Sequence, residues 1–591
     1  MQATDRRIAV HRVTMVGLGG IAGLALWALG RQWGSAGMPP ALFLALFTYV
    51  TTLVSVALAL CGPIEVPRAL RGGALSAIFV TALISLAGQR YVVATELLED
   101  PVMLSVATVM VLYLTPFLIV WMRDRRQWRR YASLFDAAWT MLMRYTIAWV
   151  FVAIFWLVAF LSDALLDLVD VTVIDWVLRT DWVRFAVSGA ILGLGLAVVH
   201  ELRGTLSPYL ALRLLRLFVP VVLTVVALFL AAVPFRGLSQ LFGEFSAAAT
   251  LMGVAVMAIT LISTALDQTD LAAVQSRGLR LATRALAVLL PLLTALAIWA
   301  VVLRVRQYGW TPDRILAGLV ALFLLAYGLG YCIAVLGGGG WMRRIRSTNV
   351  AMALAVIAVS ALWMTPALDV HRLSANSQLD RFLSGRSTLD ELALWQMGHQ
   401  WGRAGQAGLQ RLEAMTDHAD HAALVARIAD VRTQVNPFQF EQAARRRAAP
   451  DQARALLALM PVRPENVQVP PLLLAAAPPY RLQRWLEGCR RSLPDGRAGC
   501  VLVQGPFTPS ADQREQGILL YLDAQGRGRA DHLVLRPEGK VTVRDVFDPV
   551  ANDWPDLPPA AVAQALDGGF RIAPSGSHAL FLGGSTLAPG Q

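Results

Sequence analysis

Residues 41–61 read ALFLALFTYVTTLVSVALALC, an apolar run without a charged side chain. A helix rises about 1.5 Å per residue, so this run is long enough to cross a hydrocarbon layer roughly 30 Å thick. Similar runs lie on both sides of it. The full set is 13–29, 41–61, 72–88, 102–121, 145–161, 185–199, 217–235, 246–266, 285–302, 315–336 and 350–368. After Asp369 the apolar runs shorten and charged residues return. The pattern predicts an all-α polytopic membrane bundle of about eleven transmembrane helices over residues 1–368. A soluble α+β C-terminal part follows, with a helical segment at 369–460 and a small α+β domain at 461–591.

The loops orient these spans. Arg6, Arg7 and Arg12 precede the first span, and Arg68 and Arg71 follow the second. Arg125, Arg126, Arg129 and Arg130 follow the fourth, Arg213 and Arg216 the sixth, Arg277 and Arg280 the eighth, and Arg343, Arg344 and Arg346 the tenth. All of these loops fall on one side. The opposite loops carry acids, among them Glu96, Glu99, Asp100, Asp163 and Asp167; the loop with Arg304, Arg306 and Arg314 breaks the pattern. Positive loops stay cytoplasmic, so the N-terminus is expected inside. An odd number of spans then places the tail in the periplasm of a Gram-negative inner membrane. No small-x-small cleavage site follows Leu29, so the first span reads as retained.

The 591-residue chain is 56% hydrophobic with a net charge of +12. That charge sits in alternating loops, which accounts for it without nucleic acid. The span interiors hold almost no ionisable residue, which argues against an ion-coupled pump. Residues 128–144 are basic, with apolar side chains at helical spacing. They predict an interfacial helix on the anionic leaflet, with Arg125, Arg126, Arg129 and Arg130 as candidate lipid-headgroup contacts. Residues 163–182 predict an amphipathic helix on the outer surface. Arg306 and Tyr308 either hold lipid phosphates or anchor the interface.

In the tail, Cys489 on a helix and Cys500 opening a strand are candidates for a disulfide in an oxidising periplasm. Asp417, His418, Asp420 and His421 read as exposed residues at a helix start rather than metal ligands. Residues 523–531, DAQGRGRAD, resemble a calcium loop, but Gln525 stands where an acid is needed and Arg527 and Arg529 add positive charge. The segment therefore reads as a hairpin turn between strands 517–522 and 532–535, with further strands at 500–504 and 541–547. No cofactor, metal site or catalytic motif is expected.

Two segments carry a family likeness. One holds Arg306, Tyr308, Gly309, Thr311 and Arg314. The other holds Asn376, Ser377, Gln378, Leu379, Arg381 and Gly385, followed by Gly402, Arg403, Gly405 and Gly408. Together they resemble the bacterial membrane-protein family called domain of unknown function 4153. The resemblance implies an architecture and no activity.

Three functions fit these features. The first is an envelope anchor or signal relay whose periplasmic domain binds a protein partner. The second is a transporter or flippase of a lipid-like or small hydrophobic solute. The third is a membrane enzyme acting on lipid or glycan through outer-face acids such as Asp163 or Asp167. A cavity lined by polar groups and reaching into the bundle favours the second; a solid bundle favours the first.

Overall fold

Eleven helices among the described residues are long and apolar enough to cross a membrane, and each expected run overlaps one of them; the last expected run, 350–368, extends past its helix, which ends at Trp363. The computed structural model describes all residues other than 1, 35–36, 170–172, 202–207, 237–246, 466–468, 470–473, 475, 508–515, 536–540, 548–556, 576, 583–584 and 590–591. The first part of the chain comprises α1 (Gln2–Gly30), α2 (Pro40–Leu60), α3 (Val66–Gly88), α4 (Pro101–Arg123), α5 (Tyr131–Asp167), α6 (Val173–Arg179) and α7 (Asp181–Glu201). It continues with α8 (Pro208–Arg216), α9 (Val219–Arg236), α10 (Ala247–Leu266), α11 (Arg277–Tyr308), α12 (Pro312–Leu336) and α13 (Trp341–Trp363). Short helices α14 (Val370–Leu383), α15 (Leu394–His399) and α16 (Gly402–Glu413) follow.

Local chemistry sets the helix ends. Proline occupies the first turn of α2, α3, α4 and α12, where its missing N–H costs nothing. The Asp100 carboxylate accepts from the backbone N–H of Val102 and Met103 at the start of α4. Thr311 caps α12 by accepting from Arg314 N. Small residues then allow close approach. A Cβ on Gly19 of α1 would lie 2.0 Å from the carbonyl oxygen of Gly189 on α7, and one on Gly189 2.1 Å from that of Gly19. Only glycine fits at this crossing.

Two predicted helices are corrected. Residues 128–144 do not form a separate interfacial helix. From Tyr131 they are the first turns of the 37-residue α5, with Leu134, Phe135, Ala137, Met141 and Arg144 buried. No breaker separates this basic segment from the apolar run after it, so the helix continues. Residues 163–182 are likewise not one helix. They divide among the end of α5, the seven-residue α6 and the start of α7.

Chain contacts define two compact units, Met1–His421 and Ala422–Gln591. The division falls inside the expected 369–460 segment, because α14–α16 fold back onto the helices before them. Gln378 Nε2 donates to the carbonyls of Tyr308 at 3.0 Å and Trp310 at 3.2 Å. Arg381 donates to those of Arg306 at 2.9 Å and Gln307 at 2.6 Å. Arg403 N donates to Arg90 O at 2.8 Å. These bonds satisfy the carbonyls left open at the end of α11 and after α3.

The second unit contains α17 (His421–Thr433), α18 (Pro437–Leu459), α19 (Pro479–Arg490) and α20 (Pro559–Leu566). Among the described residues its strands are β1 (Val462–Arg463), β2 (Cys500–Gln504), β3 (Gln516–Leu522), β4 (Gly528–Leu535), β5 (Val541–Phe547), β6 (Phe570–Ser575), β7 (Ser577–Leu582) and β8 (Ser585–Pro589). They form one sheet in the order β1-β2-β3-β4-β5-β8-β7-β6. Only the β1–β2 pair is parallel. Alternate side chains of β2 and β3 enter two cores. Leu502, Leu519 and Tyr521 pack with α18 and α19, while Val501, Val503, Ile518 and Leu520 pack with α20. Burial on both faces explains why β2 and β3 read as unbroken apolar runs.

Candidate functional site

Within the first unit, α4, α5, α10, α12 and α13 enclose a crevice of about 330 Å³. Its walls are mainly apolar and aromatic, with Leu112, Phe117, Phe135, Trp139 and Leu142 among them. Polar groups converge at one place on this lining. Asn349 of α13 donates from Nδ2 to Ser263 Oγ at 3.2 Å and to the Tyr131 hydroxyl at 3.5 Å. Its Oδ1 accepts from the Tyr331 hydroxyl, which also lies 3.2 Å from Ser263 Oγ. Exposed to an apolar phase alone, such an amide would carry a large desolvation cost, and the mutual bonds offset it.

The crevice lies toward the Arg-rich ends of its helices. Ile259 and Ser263 fall in the last two turns of α10, and Tyr327 precedes the end of α12 by nine residues. At about 1.5 Å per residue, these wall positions sit roughly 5–15 Å from those ends. The crevice is therefore one-sided rather than a passage through the bundle.

Beside the polar cluster, α10 terminates on two arginines. Arg346 donates to Leu266 O at 2.5 Å and to Asp267 O at 3.1 Å. Arg216 donates to Thr264 O at 2.8 Å and forms an ion pair with the buried Asp267. Arg344 similarly reaches Ala334 O at 2.8 Å near the end of α12. Arg144 donates to Ala59 O at 3.2 Å and Cys61 O at 2.7 Å, at the end of α2.

The candidate headgroup contacts fall in the short turn between α4 and α5. Arg125, Arg126, Arg129 and Arg130 are exposed, and the crevice residue Tyr131 follows them directly. Arg125 stacks over Trp121 at 4.8 Å and Arg129 over Trp128 at 4.1 Å. Among the described residues, no carboxylate lies within ion-pair distance of these four guanidinium groups.

The other predicted residues lie elsewhere. Arg306, Tyr308, Gly309, Thr311 and Arg314 form the α11–α12 turn, onto which Gln378 and Arg381 dock. Gly309 has φ of 75°, and a Cβ there would meet Arg381 Cδ at 2.6 Å. Asn376 accepts from Arg411 at 3.2 Å, and Gly385 follows α14 with φ of 66°. The two halves of the motif thus meet each other, and their polar groups are used inside the chain. Nearby, Asp100 accepts from the Tyr91 hydroxyl at 2.6 Å and lies 3.6 Å from His371 Nε2. Burial alone would raise the Asp100 carboxyl, but hydrogen bonds from His371, Tyr91 and Met103 N hold it below its ordinary value.

In the second unit Cys489 and Cys500 form a disulfide with a Cα–Cα distance of 4.7 Å, tying α19 to β2. Asp523 accepts from the backbone N–H groups of Gln525 and Arg527, both at 2.9 Å, which closes the β3–β4 turn. In the first unit, His418 Nδ1 accepts from Asp420 N at 3.2 Å, in the turn before α17. Among the described residues, no three His, Cys, Asp or Glu side chains are grouped to hold a metal ion.

The sequence reading missed Tyr131, Ser263, Tyr331 and Asn349 as a group. Its one available signal was an amide, Asn349, directly beside an apolar run. No protein-family model, curated protein or solved structure matches this chain.

Proposed function

We propose that this chain is a multi-pass protein of the bacterial inner membrane that takes a lipid-like amphiphile into the crevice between α4, α5, α10, α12 and α13. One observation carries the reading. An apolar aromatic cleft of about 330 Å³ has a single polar focus at Tyr131, Ser263 and Asn349, beside four exposed arginines. The volume lies in the range of small-ligand pockets, and the lining separates an apolar body from a polar head. Arg125, Arg126, Arg129 and Arg130 are suited to an anionic headgroup in the cytoplasmic leaflet. The Arg-rich loops support a cytoplasmic N-terminus and a periplasmic second unit, and the Cys489–Cys500 disulfide fits that oxidising compartment. The docked motif is the basis for proposing membership of the domain of unknown function 4153 family.

The test uses the full chain in nanodiscs containing a photoreactive phospholipid. Labelling is expected to concentrate on Phe135 and Trp139 and to fall several-fold in an N349L/Y131F variant. Labelling spread evenly over all outward helix faces, and unchanged in the variant, would overturn the reading. A second reading, an anchor with a periplasmic interaction domain, draws on the separation of the two units. A periplasm-active reporter fused after residue 591 is expected to be active, and a silent one would reverse the orientation.

A further inference from the structure

The second unit holds a different kind of cavity. A cleft of about 430 Å³ lies between α19 and the β3–β4 hairpin. The exposed face of α19 presents Arg481, Arg484 and Glu487 to it, and Arg491, the residue that caps the end of this helix, continues the same side at three- and four-residue spacing. The opposite wall is Tyr521, Asp523, Arg529 and Asp531. Trp485 and Cys489 face the other way, into the core, so the disulfide fixes the helix that carries these arginines.

Acids and bases in this cleft are unequally satisfied. Buried Asp531 accepts from Trp485 Nε1 at 2.7 Å and from Arg481 at 2.8 Å. Asp545 accepts from the same Arg481 at 2.7 Å. Asp523 is held by two backbone N–H groups and by Arg529 at 3.2 Å. Glu487 accepts from Gln483 at 3.0 Å. Every acid on the lining thus already has an internal donor. Arg484 and Arg491 differ. Both are exposed, and among the described residues neither has a carboxylate within ion-pair distance. Arg484 reaches only the hydroxyl of Tyr521. Each guanidinium carries five N–H donors in a planar fork, so most of the donor capacity here is open.

We propose that this cleft is a binding site for an oxyanion, phosphate or carboxylate, borne on a polar ligand and gripped by Arg484 and Arg491. Arg484 on the helix and Arg491 at its C-cap are seven residues apart, so their Cα atoms sit about two turns, roughly 10 Å, apart along the axis. That spacing fits a ligand with more than one oxyanion or an oxyanion on an extended chain. Arg481 serves differently: it donates to Asp531, Asp545 and the Tyr480 hydroxyl, and it positions the cleft floor. The site is separate from the lipid crevice, and its test does not depend on that reading.

The test is hydrogen exchange of the full chain in nanodiscs of neutral phosphatidylcholine, with inorganic phosphate, pyrophosphate or succinate added. Each anion that binds is expected to slow exchange in peptides spanning Arg481–Arg491 and Tyr521–Asp531. Protection by the phosphates assigns a phosphate ligand, and protection by succinate alone assigns a carboxylate. R484Q/R491Q is expected to weaken binding about tenfold or more, as charge-assisted hydrogen bonds are lost. E487Q removes a negative charge beside the site and is expected to tighten binding, which keeps the test decisive if the double variant does not fold. No protection by any of the three anions would overturn the proposal. So would protection that E487Q and R484Q/R491Q leave unchanged.

Discussion

In Met1–His421 the buried arginines Arg90, Arg144 and Arg346 meet backbone carbonyls; in Ala422–Gln591 the buried Arg427 lies over the Phe440 ring, and the half-buried Arg481 beside the sheet meets carboxylates. Arg144, Arg346 and Arg90 each donate to carbonyls at the end of a neighbouring long helix, α2, α10 and α13; Arg346 also pairs with the exposed Asp270, and the less buried Arg216 adds an ion pair with Asp267 to its carbonyl bond. Arg481 instead binds Asp531 and Asp545. Arg463 of the second unit clarifies the rule, because it donates to Leu566 O at 2.9 Å, and Leu566 ends α20. The partner follows from where unpaired acceptors lie. Each helix leaves four open carbonyls at its end, and in a bundle of long apolar helices these ends crowd together. A guanidinium supplies several donors and complements the negative end of the helix dipole. In a sheet the ladder already uses the carbonyls, so a buried arginine needs an acid.

Removing one member of the carboxylate-based pair tests this contrast most severely. Asp531→Ala leaves the buried Trp485 N–H without its acceptor and Arg481 with Asp545 alone, and is expected to cost about 3–5 kcal/mol. Pulse proteolysis of the second unit in rising urea measures it; a loss below about 1 kcal/mol would mean that the network is merely solvated surface.

The second test concerns a buried group in the sheet with no hydrogen-bond partner among the described residues. His532 of β4 is fully buried, and neither ring nitrogen has a hydrogen-bond partner among the described residues. Burial, with the nearby Arg544, lowers its pKa to about 4. The unfolded chain binds this proton near pH 6.5 and the folded one only near pH 4. Stability is therefore complete above pH 6.5 and falls as the pH drops toward 4, by about 3 kcal/mol. The same proteolysis at stepped pH reads this, and His532→Leu is expected to flatten that component. An unchanged pH profile in the variant would remove His532 as the cause.

The smallest effect belongs to the carbonyl-based arginines. Arg144→Met leaves Ala59 O and Cys61 O without their donor and is expected to cost about 2 kcal/mol. Arg144→Lys should recover part of it. Thermal unfolding in detergent provides the comparison. If R144M melts with the wild type, the carbonyls find other donors and the distinction between the units collapses.

Much of this was legible in advance. The eleven apolar helices follow from run length alone, since a long uncharged run has few other ways to hide from water. The Cys489–Cys500 pair was legible because its partners are eleven residues apart. Arg144 was not. It reads as a residue at the edge of a span, yet it lies well inside α5, and its partner Cys61 is 83 residues earlier. Asn349 reads as a residue just before a span, while the structure sets it against Ser263, 86 residues away, and Tyr131, 218 away. Gly309 was legible as part of the family-like motif, but not as the seat of Arg381.

The sequence by itself determined which segments avoid water, where helices start, and which loops gather positive charge. These properties depend on neighbours along the chain: hydropathy over about twenty residues, a capping side chain, a proline in the first turn. Only the tertiary structure decided which helix ends meet which arginines, that α14–α16 belong with the long helices, and that five helices leave a crevice with one polar focus. Those outcomes depend on donors and acceptors brought together from distant positions, and a linear pattern carries no record of such distances.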